Sequence, residues 1–111
     1  MELVKIFDMR APAFGAPCSE VFAAALDIAA WADEIGFDVL GLGEHHGADD
    51  GYNPSPLVLG SAVAARTRRI HLRTAALLAS GYTPGRPPRA PAVVQSPPHG
   101  PLDPDLRLGY P

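Results

Sequence analysis

Apolar and polar positions divide the first 79 residues into two kinds of segment. Short apolar runs at Leu3–Met9, Phe37–Gly43 and Ile70–Leu78 are typical of buried strands. The alanine-rich segments between them, Glu20–Ile35 and Pro56–Arg66, have the composition and length of helices. The pattern predicts the order strand–helix–strand–helix–strand. Short connections in this order favour parallel strands joined by right-handed crossovers.

The ends of both predicted helices carry boundary signals. Ser19 is placed to cap the first helix, and Gly36 is placed to end it in the left-handed conformation that glycine adopts without strain. Ser55 followed by Pro56 predicts the start of the second helix, because the N–H that proline lacks has no helical partner in the first turn.

The first helix is predicted to bury one face. Phe22 and Trp31 are interpreted as core residues because they recur at helical spacing. The acidic residues Asp27, Asp33 and Glu34 are expected on or near the opposite, solvated side.

Two α/β architectures begin with this order of elements: a doubly wound nucleotide-binding sheet and a (β/α)8 TIM barrel. The first requires a glycine-rich turn after its first strand, and the turn at residues 10–19 lacks that spacing. The pair Gly41 and Gly43 is followed by His46 where the fingerprint requires glycine or alanine. The sequence therefore predicts an α/β fold, the N-terminal strand–helix–strand–helix–strand portion of a TIM barrel.

The chain divides into two parts of different character. A TIM barrel takes about 250 residues, whereas this chain has 111, so residues 1–79 are interpreted as a truncated barrel domain. Nine of the 13 prolines lie in residues 80–111, which predicts an irregular, disordered or polyproline-like tail. Three strands covered by two helices would leave an apolar sheet face and two strand edges exposed.

Composition excludes several classes of protein. A net charge of −3 gives no sign of binding to nucleic acid or to an anionic membrane. No apolar run approaches the roughly 20 residues of a membrane span. Cys18 is the single cysteine, which excludes an internal disulfide and argues against a thiolate zinc site. The expected location is the cytoplasm.

Three ionisable side chains, Glu44, His45 and His46, directly follow the second predicted strand. TIM barrels place their catalytic residues at the carboxyl ends of strands, so a catalytic site is one interpretation. A metal site, with Asp49 and Asp50 as further ligands, and a solvated polar loop are the others. Adjacent side chains on an extended segment point in opposite directions and chelate poorly, which weakens the metal interpretation. These residues alone leave all three open.

Taken in order, AAWADEIGFDVLGLGEHH and NPSPLVLGSAVAARTRRIHLRTAALL resemble the N-terminal part of the luciferase-like monooxygenases, the flavin-dependent family that includes bacterial luciferase. The resemblance covers about residues 3–78. It implies a barrel that holds reduced FMN or a deazaflavin at its C-terminal mouth. It also implies an oxidoreductase activity in which reduced flavin and O₂ oxidise a small organic substrate. Dimers are common in the family, so a homodimer is an expected oligomeric state.

The resemblance also implies roles for particular residues. His45 matches the family's active-site histidine, a general base or proton donor beside the flavin ring, and imidazole suits proton transfer near neutral pH. Glu44 and His46 flank it as pocket or orienting residues. Ala75 and Ala76 match the strand end that packs against the flavin, where small side chains permit close approach. We predict His45 and His46 as catalytic, Glu44, Ala75 and Ala76 as cofactor-binding, and no metal.

The chain departs from the family pattern after residue 79. The family continues with a proline-containing loop, a helix and a Ser-Gly-Gly-Arg turn, where this chain has SGYTPGRPPRAP. The later strands that hold the flavin phosphate are missing, which argues against tight flavin binding and full activity by this chain. A reading-frame change near codon 79 would explain the tail, and a genuine short paralogue is the competing explanation. The alternative function is a non-catalytic protein that uses its half-barrel to associate with a partner or itself.

Overall fold

A computed structural model describes residues 1–78 and 103–107 of the chain. Its elements, in chain order, are β1 (Val4–Ile6), α1 (Cys18–Ile35), β2 (Val39–Leu42), α2 (Pro56–Ala64), β3 (His71–Leu78) and β4 (Asp103–Arg107). The four strands form one parallel sheet in the order β1-β2-β3-β4. Neighbours in the sheet are also neighbours in the chain, as in a barrel wall. The predicted order of the first five elements is confirmed.

One face of the sheet packs against both helices. The alternation of side chains along each strand directs Leu40 and Leu42 of β2, and Leu72 of β3, to this face. α1 contributes mainly alanines, which lets its backbone lie close to the sheet, whereas α2 contributes the larger side chains of Leu57, Leu59 and Val63. The core cluster consists of Phe7, Met9, Ala25, Ala29, Ala32, Leu40, Leu42, Leu57, Leu59, Val63, Ile70 and Leu72. Burial of this cluster is the main source of stability of the described chain.

The opposite face of the sheet is open at β1. Val4 and Ile6 project to the same face, on either side of Lys5, and both are exposed, Ile6 to 61%. β1 and β4 are the outer strands of the described sheet, so each pairs with one neighbour there. The expected exposure of an apolar sheet face is confirmed for β1.

The ends of the helices match the predicted signals with one exception. α1 begins at Cys18 after Pro17, so Ser19 lies inside the helix and does not cap it. Gly36 ends α1 with a φ of 95°, as predicted, and its N–H donates to the carbonyl of Ala32. α2 follows Ser55 and starts at Pro56, also as predicted, although the Ser55 hydroxyl makes no capping hydrogen bond. No helix of the described part is long and apolar enough to cross a membrane.

Gly36 supports a prediction about stability. A side chain at this residue would meet no atom within 4 Å, so the cost of Gly36→Ala is the cost of a positive φ alone. We expect a loss of about 1 kcal/mol in the free energy of unfolding, measured by urea denaturation. Gly36→Asn should lose less, because asparagine tolerates the left-handed region better than alanine. Equal losses in the two variants would contradict this explanation.

The prediction that Asp33 faces solvent is wrong. Its carboxylate is buried and accepts hydrogen bonds from the backbone N–H groups of Arg68, Arg69 and Ile70, at 2.8 to 2.9 Å. The Arg69 guanidinium also donates to the Asp33 carbonyl oxygen, at 2.6 Å. α1 is thereby fastened to the segment that enters β3.

The prediction that Trp31 is a core residue is also wrong. The Trp31 side chain is 54% exposed, and its ring lies 6.3 Å from the ring of Phe37. Phe22 is partly buried and packs against the core, in agreement with the prediction. Helical spacing identified an apolar stripe but could not tell which of two apolar stripes faces the sheet.

The expected disorder of residues 80–111 falls mostly outside the described residues. The part that is described, Asp103–Arg107, forms β4 and pairs with β3, which the proline content did not predict. Pro104 lies within this strand. An outer strand accommodates proline because its missing N–H can lie on the side without a partner strand.

Candidate functional site

The site is built where the chain leaves β2. Asn53, almost fully buried, holds this segment from two sides. Its Nδ2 donates to the carbonyl oxygen of Gly43 at 2.8 Å, and its own carbonyl accepts the N–H of His45 at 3.1 Å. The backbone on both sides of Glu44 is therefore fixed by a single residue.

The two adjacent histidines have different partners. His46 Nε2 lies 2.6 Å from Glu44 Oε1, and the Glu44 carboxylate is buried while His46 is half exposed. The ring of His45 instead packs edge-on against Tyr52, with the ring centres 5.4 Å apart. The alternation expected of an extended segment therefore holds: Glu44 and His46 project to one side and contact each other, and His45 projects to the other side.

A cleft of about 670 Å³ opens at the carboxyl ends of β1 and β2. It is lined by Ile6, Phe7, Asp8, Arg10, Gly43, Glu44, His45, Ala48, Asp50 and Tyr52. Of the predicted site residues, Glu44 and His45 line the cleft, and His46 reaches it through its contact with Glu44. The cleft lies where parallel α/β folds carry their ligand sites.

Ala75 and Ala76 belong to β3. Thr74, directly before them, pairs with Leu42, the last residue of β2. Ala75 and Ala76 therefore lie on the same side of this pair as Gly43 and Glu44, which follow β2. Their role as cofactor contacts stays a prediction from the resemblance.

An ion pair stands at the rim of the cleft. The Arg10 side chain donates from Nε to both carboxylate oxygens of Asp8, at 2.8 and 3.0 Å, and its Nη2 contacts the same carboxylate. These side-chain hydrogen bonds lower the pKa of Asp8 to about 2, and the same carboxylate raises the pKa of Arg10. Both side chains are exposed, so the pair makes the rim of the cleft polar. Because exposed ion pairs are weak, it adds little to the stability of the fold.

The described part of the chain shows no cluster of side chains that would support the metal interpretation. No group of three or more His, Cys, Asp or Glu side chains comes together there in a way that could hold an ion. His46 bonds Glu44, whereas His45 contacts Tyr52, so the two imidazoles do not share a site.

Sequence reasoning missed Tyr52 and Asn53. Both lie just before the start signal of α2, in the loop that follows β2. The available signal was their place: a loop that joins a barrel strand to the following helix lies at the same end as the active site.

Close contact between Gly43 and Tyr52 supports a second prediction. A Cβ at Gly43 would stand 2.8 Å from the Tyr52 hydroxyl oxygen, which is too close. Gly43→Ala should displace Tyr52, weaken the NOE between the rings of Tyr52 and His45, and lower stability by about 1 kcal/mol. Adding Tyr52→Phe removes the clashing oxygen and should restore stability. If the double variant is no more stable than Gly43→Ala, the clash is not the cause.

Comparison with known proteins identifies the family. The family model of the luciferase-like monooxygenases matches residues 4–95, which is most of the chain. The chain belongs to this family. The match extends beyond residue 78, where the resemblance of the sequence motifs ends.

Individual relatives agree with this assignment. The chain is 45% identical over 49 residues to the 4-hydroxyprotoasukamycin monooxygenase of Streptomyces nodosus subsp. asukaensis, a match that covers 44% of this chain and 13% of that protein. The oxygenating constituent of 3,6-diketocamphane monooxygenase from Pseudomonas putida, solved with FMN, superimposes on all of this chain. The TM-score is 0.79, the identity is 22%, and 30% of that protein is covered.

A second solved structure, apo-MsnO8, superimposes on 91% of this chain and 31% of its own, with a TM-score of 0.77 and 21% identity. These likenesses confirm the predicted fold, a portion of the luciferase-like TIM barrel. The chain spans less than a third of each of the three relatives.

Proposed function

We propose that this chain carries the flavin-facing wall of a luciferase-like oxidoreductase, which uses reduced flavin and O₂ to oxidise a small organic substrate. The observation that carries the proposal is the cleft at the carboxyl ends of β1 and β2, with His45 in its wall. Family membership supports the same chemistry.

The residues of the cleft fit a flavin ring. A flavin offers a flat, largely apolar ring with polar atoms along its edges. Phe7 and Tyr52 supply apolar and aromatic surface, while Glu44 and His45 supply polar groups beside it. Ala48 keeps part of the wall free of a bulky side chain, and Gly43 leaves room for the Tyr52 ring. Bound flavin would supply the electrons that reduce O₂.

In this proposal the three ionisable residues have separate tasks. His45 holds or moves a proton at the cleft wall, as a general base or acid. Glu44 bonds His46 at 2.6 Å and so connects the half-exposed imidazole to the cleft, which gives protons a path from solvent. For Ala75 and Ala76 the resemblance supports a contact with the flavin ring.

Flavin binding by the purified chain tests the proposal. FMN and a 5-deazaflavin are titrated separately, in oxidised form and after reduction without oxygen, and binding is followed by fluorescence and absorbance. We expect His45→Ala to weaken binding about tenfold or more. His71→Ala is the matched control, because His71 is exposed at the amino end of β3, away from the cleft. No binding by the unaltered chain, or equal losses in both variants, would contradict the proposal.

Association without catalysis is a second candidate, favoured by the exposed side chains of Val4 and Ile6 on the open sheet face. Sedimentation of the chain with and without Ile6→Asp tests it, with Val58→Asp as the control on an exposed helix position. Association that Ile6→Asp disrupts and Val58→Asp does not would support this function. Sedimentation as a monomer would oppose it.

A further inference from the structure

Asn53 is buried and polar, and the family resemblance implies no catalytic or cofactor-binding role for it. It lies two residues before Ser55, which directly precedes α2, and ten residues after Gly43. A buried amide needs partners for its polar atoms, since leaving them unsatisfied costs free energy. The partners that the structure gives it are all on the segment that leaves β2.

The two hydrogen bonds of Asn53 act on opposite sides of Glu44. The side-chain bond to the Gly43 carbonyl, at 2.8 Å, holds the last residue before the ionisable group. The backbone bond from the His45 N–H, at 3.1 Å, holds the residue after Glu44. An extended segment held at two points cannot rotate about its own axis, so the sides on which Glu44 and His45 project are fixed.

We infer that Asn53 is a positioning residue: it sets the orientation of the Glu44–His45 segment and holds His45 in the cleft wall. Tyr52, its neighbour in the chain, supports the same arrangement through its edge-on contact with the His45 ring. Asn53 lines no part of the cleft and therefore acts through His45 and Glu44. We call the two hydrogen bonds that Asn53 makes with Gly43 and His45 the Asn53 clamp. Its importance for catalysis rests on the proposed function, but its existence does not.

The sequence makes the clamp accessible to NMR, because Asn53 is the single asparagine of the chain. Labelling with ¹⁵N-asparagine gives one side-chain amide pair. In the unaltered chain we expect those protons to exchange with water at least about tenfold more slowly than in a free amide. They should also give NOEs to the Gly43 α protons. Exchange at the free rate without such NOEs would overturn the inference with no substitution needed.

Asn53→Ala removes the side-chain bond and leaves the backbone carbonyl in place. We expect the protection of the His45 N–H against hydrogen exchange to fall about tenfold or more, and the NOE between the rings of His45 and Tyr52 to weaken. Thr67→Val is the matched control. Thr67 is also buried, and its hydroxyl donates to the Val63 carbonyl at 2.9 Å, far from the cleft. The control should lose stability without changing the His45 signals.

The outcomes separate this inference from the proposed function. Unchanged His45 protection in Asn53→Ala, or an equal change in Thr67→Val, would show that Asn53 does not position His45. If His45 protection falls only in Asn53→Ala, the inference holds. FMN affinity is then measured for the same two variants. A loss of FMN affinity confined to Asn53→Ala would show that the clamp also matters for ligand binding. If no variant binds flavin, the proposed function is contradicted but the clamp is still established.

Discussion

Asp33→Ala should lower the free energy of unfolding by about 2–4 kcal/mol, the largest stability effect expected of any polar substitution in the described chain. The Asp33 carboxylate accepts three backbone N–H groups from residues 68–70, and its loss leaves those donors without their partner. Hydrogen bonds to a charged acceptor are stronger than those between neutral groups. The substitution also frees α1 from the segment that enters β3.

Asp27→Ala is the matched control for this prediction. Asp27 lies on the same helix and pairs with Arg66 at 2.7 Å, but both side chains are at least half exposed. Exposed ion pairs add little to stability, so the control should change the free energy of unfolding by less than about 1 kcal/mol. Urea denaturation followed by circular dichroism measures both variants. Similar losses in the free energy of unfolding of the two variants would mean that the burial of the Asp33 hydrogen bonds adds nothing to stability.

The contribution of Asp33 should also depend on pH. Burial by itself raises the pKa of Asp33, but the three backbone hydrogen bonds and the charge of Arg69 outweigh it, so the pKa is lowered on folding. A lowered pKa contributes stability that is fully present above the unfolded value, about 3.9, and is lost as the pH falls through the folded value. The difference in stability between the unaltered chain and Asp33→Ala should be constant near neutral pH and should shrink below about pH 4.

Features that depend on neighbours in the chain were predictable from sequence. The φ of Gly36, the start of α2 at Pro56 and the end of β2 before Glu44 each follow from residues within one turn or one strand. Asp33 was misplaced because its partners lie 35 to 37 residues away, and no helical period reveals them. A buried carboxylate on a helix is recognised only when the donors that stabilise it are known.

Trp31 and β4 show two further limits of pattern reasoning. α1 is apolar on more than one side, so spacing alone could not say that Trp31 faces outward. The strand Asp103–Arg107 has neither the β-branched content nor the alternation of a typical strand, and pairing with β3 supplies what the local sequence lacks. In the site, the place of Glu44 and His45 after a strand left several interpretations open, and the family resemblance pointed to a catalytic site. The place of Asn53 in the following loop put it at the same end as the site, but its hydrogen bonds to Gly43 and His45 are seen only in the structure.

The neighbours His45 and His46 should differ sharply in their effect on turnover. Only His45 lines the cleft, whereas His46 is half exposed and bonds the buried Glu44. If the proposed function holds, His45→Gln should lower the turnover number about 10²- to 10⁴-fold, the range for loss of a general acid or base. His46→Gln should cost about tenfold or less, because Glu44 stays in place and water can replace the exposed imidazole.

Oxygenation of a panel of small organic compounds, with chemically reduced FMN and air, measures this difference by mass spectrometry of the products. Flavin is added to saturation for each variant, so a change in turnover cannot arise from weaker binding. His71→Gln controls for the loss of an imidazole outside the cleft. Equal losses at His45 and His46 would show that the two act as one unit through Glu44. A larger loss at His46 would move the proton-transfer role to the solvent side of the buried carboxylate.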